Sequence, residues 1–246
     1  MTEPRLAAHG LHRMFAAEAG VRGIDLTVTR GEIHAMVGLN GAGKTTLMRL
    51  LLGMLRPDSG VTRIDGHDIR TAPADIWARV GQLVDHPLAY GDLDTRTNLM
   101  LAARLHAVPR CQVTKSVERI IAELDLGRYA CVRARTLSQG NRQRLGLAAA
   151  LLHDPTVIVL DEPTNALDPA AVILIRETLL RRAGAGAGIL VSSHHLDEVA
   201  RVADRITVVN RGTVIGALDP HGVDIERGFF NLVHADNKRH DDRPAA

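Results

Sequence analysis

Apolar and polar positions alternate between two periods along the chain. Ile33-His34-Ala35-Met36-Val37 is a short apolar run, and the amphipathic run Thr46-Leu47-Met48-Arg49-Leu50-Leu51-Leu52 follows after intervening glycines. That order reads as strand, loop and helix. Upstream, Gly23-Ile24-Asp25-Leu26-Thr27-Val28 is a β-like run closed by a turn at Thr29-Arg30-Gly31-Glu32. Downstream, Arg56-Pro57-Asp58-Ser59-Gly60 stops the helix, and Val61-Thr62-Arg63-Ile64-Asp65-Gly66 reads as a strand ending in an Asp-Gly turn.

From about 85 to 135 the character changes. Residues 97–108 and 113–126 carry apolar positions at three- and four-residue spacing with no strand-like run between them. This stretch is expected to be a helical subdomain inserted into an α/β core. The core resumes with a helix over about 140–152 and the continuous run Thr156-Val157-Ile158-Val159-Leu160, of the kind a buried parallel strand shows. A helix over 169–182 begins with proline in its first turn, and Gly184-Ala185-Gly186-Ala187-Gly188 reads as a short flexible link. Strands at 189–192 and 206–209 flank a helix over about 196–203, and Asn210-Arg211-Gly212 turns the chain into Thr213-Val214-Ile215. This alternation predicts an α/β fold with a parallel sheet covered on both faces. The folded domain is expected over 4–233, with 234–246 a charged, frayed tail.

The stretch between the first strand and helix changes the picture from fold to chemistry. Gly38-Leu39-Asn40-Gly41-Ala42-Gly43-Lys44-Thr45-Thr46 fits G-x-x-x-x-G-K-[ST], the phosphate-binding loop or Walker A motif. Glycines let backbone N–H groups turn inward around a phosphate chain where side chains would block the approach. The following helix offers its unpaired N–H groups and positive dipole end to the same anion. Lys44 can reach the terminal phosphates and the Thr45 hydroxyl can ligate Mg²⁺. The plain alternative is a glycine-rich turn with a surface lysine.

Composition narrows the setting. Apolar residues make up 46% of the chain and aromatics only 2%, so the core must rest on Leu, Val, Ile and Ala. Thirty Lys and Arg against twenty-eight Asp and Glu is too balanced to imply a nucleic-acid or membrane-surface partner. Cys111 and Cys131 lack metal-ligand spacing and are expected as free thiols in a reducing compartment. The first residues have no apolar core for a signal peptide, and no run approaches the roughly 20 apolar residues that span a bilayer. A soluble, cytoplasmic chain is expected.

Three later stretches specify the chemistry. Asp161 and Glu162 end the buried strand, where open α/β sheets face their ligand crevice. Asp161 can hold Mg²⁺ and Glu162 can act as general base on an attacking water. Leu137-Ser138-Gln139-Gly140-Asn141 opens a helix, a second anion site if Ser138 is more than a helix cap. His194-His195 follows a strand and could reach a γ-phosphate. Phe15, upstream of the loop, is either a core aromatic or a face for an adenine ring.

In this order the stretches closely resemble the ATP-binding subunit of an ABC transporter, from about residue 4 to 233. Leu137-Ser138-Gln139-Gly140-Asn141-Arg142-Gln143-Arg144 resembles the family signature LSGGQ, with Gln139 for its first glycine and Asn141 for its glutamine. Leu160-Asp161-Glu162-Pro163-Thr164 is similar to Walker B, Ala166-Leu167-Asp168 to the D-loop, Ser193-His194 to the switch histidine and Phe15 to the adenine-stacking aromatic. Asp85 stands where the family's Q-loop has glutamine, and Gln82 is three residues early.

The resemblance implies a P-loop NTPase core of ABC type, an N-terminal antiparallel β subdomain, and the cofactors ATP and Mg²⁺. It implies a head-to-tail dimer, expected to be of identical chains. Each ATP would lie between the phosphate loop of one subunit and Ser138, Gln139 and Gly140 of the other. A separate permease would hold the subunit at the inner face of the membrane. The variants look like the branch that exports antibiotics, peptides or lipids. An importer subunit, or a soluble ABC-type ATPase of repair or translation, are the alternatives. The repair type needs sustained heptads that are absent here, and the translation type carries two cassettes in one chain.

Overall fold

The alternation of apolar residues along the central strands decides the layers. In the computed structural model, which describes residues 4–15 and 19–241, strands β1 (Leu6–Met14) and β2 (Gly20–Val28) precede β3 (Ile33–Val37) and helix α1 (Lys44–Leu51). Strand β4 (Ser59–Ile64) turns at Asp65-Gly66 into the short β5 (His67–Asp68), and a single turn, α2 (Ala74–Trp77), leads to β6 (Val80–Leu83). Helices α3 (Thr95–Leu105) and α4 (Arg110–Glu123) follow, then α5 (Gln139–Leu151), β7 (Val157–Leu160) and α6 (Pro169–Gly184). The chain closes with β8 (Gly188–Ser193), α7 (Leu196–Ala200), β9 (Arg205–Asn210), β10 (Thr213–Leu218) and α8 (Ile225–Asp241).

One sheet has the order β10-β9-β3-β8-β7-β6, parallel from β9 to β6 with β10 antiparallel at its edge. The other, β2-β1-β4-β5, is antiparallel, as expected for an N-terminal β subdomain. Ile158 and Leu160 of β7, with Ile33, Ala35 and Val37 of β3, pack into a core shared with α3, α4, α5 and α6. Val157, Val159 and Met36 point the other way, into a core shared with α1 and the antiparallel sheet. Each buried Val, Leu or Ile contributes roughly 1.5–3 kcal/mol, so the two-sided burial of these short strands fixes their register.

Helices α3 and α4 lie within the stretch between Asp85 and Arg135. Two expectations are corrected. The chain does not fray after 233: α8 runs through Asp241, with Phe229 and Val233 buried in the core. Asp236 is also buried and accepts a hydrogen bond from Asn210 Nδ2 at 2.8 Å, so this part of the charged stretch belongs to the domain. Residues 242–246 of the expected tail lie outside the described residues. The glycine-alanine link is an ordered turn. Gly186 N donates to Ala183 O at 2.7 Å, and Gly188 N donates to Thr156 O at 2.9 Å as β8 begins. Cys111 and Cys131 are free and exposed.

Candidate nucleotide site

Register brings the site together before any side chain acts. Val37 pairs with Ser193, Leu160 with Val191, and Leu83 with Leu160. The residues just past these strands therefore emerge side by side: the glycine loop after β3, His194 after β8, Asp161 after β7 and Asp85 after β6. Loops at the carboxyl ends of parallel strands face the ligand crevice.

The loop turns into α1 through Gly43 at φ 101°, a left-handed conformation, with no side-chain cap. A Cβ on Gly43 would lie 3.2 Å from both the Gly20 carbonyl oxygen and the Gly212 Cα. The first-turn N–H groups of α1 are thus left for an anion. Lys44 is buried at 7% exposure, and its Nζ donates to the carbonyl of Gly38 at 2.7 Å and of Leu39 at 3.4 Å. Leu39, Asn40 and Gly41 are exposed, Ala42 is buried, and Thr46 is half-buried in the first turn of α1.

Asp161 and Glu162 sit in one chain of hydrogen bonds. Thr45 Oγ1 donates to Asp161 Oδ2 at 2.6 Å, and Ser192 Oγ donates to Asp161 Oδ1. The Glu162 N–H donates to Ser192 Oγ at 2.9 Å. Glu162 itself has φ 46°, a conformation costly for a residue with a Cβ, so its carboxylate is held in place by its neighbours. One Glu162 oxygen lies 3.7 Å from Lys44 Nζ and the other 2.8 Å from His194 Nδ1. The Thr45 and Asp161 oxygens are hard donors in contact, which fits a Mg²⁺ ion that takes one or two protein oxygens and completes its shell with phosphate and water. A cavity of about 750 Å³ opens in front of Asp161 and Glu162, walled also by Asp85, Gln139, Arg142 and Gln143.

The signature residues form a different place. Ser138 caps α5, its Oγ accepting from Asn141 N at 3.3 Å. Gly140 lies so close to the loop after β7 that a Cβ on it would meet the Ala166 carbonyl oxygen at 2.5 Å. Ser138, Gln139, Gly140 and Asp168 wall a second cavity, of about 450 Å³, with Arg128 and Arg144. Among the described residues, nothing from 38–46 lines it. No residue of 38–46 lines the larger cavity either, but Asp161 and Glu162, which touch Thr45 and Lys44, line it and not the smaller one. Among the described residues only Gln139 is shared, so Ser138 and Gly140 are set apart from the acids that contact their own phosphate loop.

Phe15 is 42% exposed with the Arg13 guanidinium 5.3 Å from its ring centre, which removes the core-aromatic reading. Its N–H donates to Ala19 O at 2.8 Å, one residue before the Gly20 that abuts Gly43. Sequence reasoning missed three site residues: Ser192, whose hydroxyl links the Asp161 carboxylate to the Glu162 backbone N–H; Gln143, whose Nε2 donates to the Glu162 carbonyl at 3.3 Å; and Arg49. Arg49 carried a signal, standing four residues after Thr45 on one face of α1.

Parallel strands, glycine loop, paired acids and histidine together define an ATP-hydrolysing P-loop domain. The family model described as ABC transporter matches residues 21–165, and the chain belongs to that family as an ATP-binding subunit. It is 35% identical over 215 residues to the daunorubicin resistance ATP-binding protein DrrA3 of Streptomyces coeruleorubidus, covering 87% of this chain and 68% of that one. It is 36% identical over 226 residues to the ribose import ATP-binding protein RbsA 1 of Burkholderia thailandensis, covering 89% of this chain but 45% of that one. A solved ATP-binding subunit of an ABC transporter superposes with a TM-score of 0.81 at 27% identity, covering 92% of this chain and 93% of its own.

Proposed function

We propose that this subunit hydrolyses MgATP at the interface of two identical chains and drives export through a separate permease. The observation that carries the reading is the placement of Glu162, between Lys44 and His194 and one residue from the Thr45–Asp161 pair.

In this reading the N–H groups of the glycine loop and α1 bind the phosphates, and Lys44 leaves its carbonyl partners to face the terminal ones. Mg²⁺, held by Thr45 and Asp161, offsets phosphate charge when bound. Glu162 takes the proton of the attacking water, and His194 orients that carboxylate through its Nδ1 contact. Phe15 offers its exposed ring to the adenine. Ser138, Gln139 and Gly140 serve the neighbouring chain's ATP, which the separation of their cavity from their own phosphate loop supports.

Among the described residues no helix is long and apolar enough to cross a membrane. A permease is therefore proposed to hold the subunit at the inner face of the cell membrane, with no nucleic-acid partner. Export is favoured by relatives named for daunorubicin resistance and Nod factor export, 35% and 34% identical and each covered over 68% of its length.

Glu162→Gln tests the composite site. The amide keeps the shape of the carboxylate but not its basicity, so ATP should hold a dimer that disperses when nucleotide is removed, as size-exclusion chromatography would show. Adding Ser138→Arg fills the helix-start site and should abolish the dimer while each chain still binds ATP. A double variant that still dimerises would refute the assignment across the interface.

A further inference from the structure

Arg49 follows Thr45 by four residues on α1 and lies outside the phosphate loop. Its guanidinium grips Asp85 with two prongs: Nε donates to Oδ2 at 2.9 Å and Nη2 donates to Oδ1. Planar two-pronged contacts of this kind fix orientation as well as charge. Asp85 stands two residues past β6 at φ 69°, in the left-handed region that Asp enters more readily than most residues with a Cβ. It walls the same cavity as Asp161 and Glu162.

Three carboxylates therefore border one cavity, and two of them touch the phosphate loop directly, Asp161 at Thr45 and Glu162 at Lys44. A nucleoside triphosphate adds further negative charge beside them, and an unpartnered acid there works against phosphate binding. Asp161 has two hydroxyl donors, and Glu162 has Lys44 and His194. Asp85 has Arg49. Both side chains of this pair are partly exposed, at 45% and 38%, and such pairs add little to folding stability. Its weight falls on the site instead.

We propose that Arg49 is a positioning residue for ATP hydrolysis: it neutralises Asp85 and ties the segment that opens the helical subdomain to the helix that carries the phosphate loop. This rests on the ATPase reading of the site. It also explains how an acid can occupy the position where the family has a neutral glutamine.

The test is steady-state MgATP hydrolysis by the full chain and by Arg49→Met, Asp85→Asn and the double variant. Arg49→Met should raise KM for ATP by about fivefold or more with a smaller change in kcat, because a bare acid opposes nucleotide in ground and transition state alike. That increase should shrink by about half between roughly 50 and 300 mM salt, since a partly exposed charge is screened. Asp85→Asn added to Arg49→Met should bring KM back to within about twofold of the starting protein, a rescue that lost packing would not show. If Arg49→Met does not fold, Arg49→Gln with and without Asp85→Asn carries the same comparison. An unchanged KM in the single variant, or a double variant no better than the single, overturns the assignment. An unaltered chain that binds ATP without hydrolysing it overturns the ATPase reading, and this assignment with it.

Discussion

The two ends of the parallel sheet both carry dense charge and both open into a cavity, about 750 Å³ at the carboxyl ends and about 720 Å³ at the amino ends. At the amino ends, Arg182 donates to Glu123 at 3.0 Å and to Asp154 at 3.1 Å. Arg119 and Arg181 add contacts to Asp154 and Glu123 at 2.5 and 3.2 Å. The network closes on itself and fastens α4 to α6 and to the loop before β7. At the carboxyl ends, acids are held at positive φ, at Glu162 and Asp85, and side chains from separate strands converge on open space. Neither charge nor cavity volume separates the two. Nor does backbone conformation, since Asp154 in the amino-end network also has positive φ, at 53°. What separates them is that the amino-end charges pair off with one another while the carboxyl-end side chains converge on open space.

Substitutions at the two ends should then fail in different ways. The largest effect is expected from Lys44→Ala, which removes the cation proposed to face the terminal phosphates: turnover should fall by about 10²-fold or more, with thermal unfolding nearly unchanged. Hydrolysis at an unchanged rate would break the contrast at its strongest point. Arg182→Met should do the reverse. It leaves Glu123 and Asp154 short of a partner where Arg182 and Glu123 are about nine-tenths buried, costing roughly 3 kcal/mol in denaturant unfolding while nucleotide affinity holds.

The amino end should also respond to acid. His153 stacks on His106 at 3.8 Å, and its pKa is lowered to about 4, chiefly by burial and then by His106. His106 is lowered too, also by burial. Unfolded imidazoles titrate near 6.5, so between there and about 4 the unfolded chain binds more protons than the folded one. Stability should fall as pH drops through that window, by on the order of 1–3 kcal/mol. His153→Phe should flatten the fall; His34, also lowered to about 4 by burial, should leave part of it. A slope unchanged in His153→Phe would remove the pair from the account. The smallest effect is expected at Phe15→Ala, about 1 kcal/mol in nucleotide affinity measured by calorimetric titration. Unchanged affinity in a folded protein would leave the adenine without this ring.

What could be read from residue order follows the same division. Strands β3, β7 and β8 were legible because burial on both faces makes each a continuous apolar run, and the motif residues stand directly at their ends. The charge of Lys238, Arg239 and His240 hides the helical spacing that runs on from Phe229 and Val233 to Asp236, so the last turns of α8, after 233, read as tail. Neither the Arg49–Asp85 pair nor the Ser192 bridge could be seen, since each depends on which strand lies beside which. The amino-end network was silent for the same reason: its arginines are ordinary surface residues until α4 and α6 pack.

Gly140 and Gln143 sit one turn apart on α5. The first presses on the Ala166 carbonyl, and the second donates to the carbonyl of Glu162. In the dimer proposed above, the head of this helix would belong to the neighbour's nucleotide while its next turn grips the backbone of its own base. The helix is then a short crankshaft, about 20 Å long at 1.5 Å per residue, with a journal in each of two engines. A subunit that re-seats its base must also re-seat what it lends across the interface. In that dimer the two hydrolysis events would be timed against each other by a rigid part, and any affinity difference this created would have to be mutual.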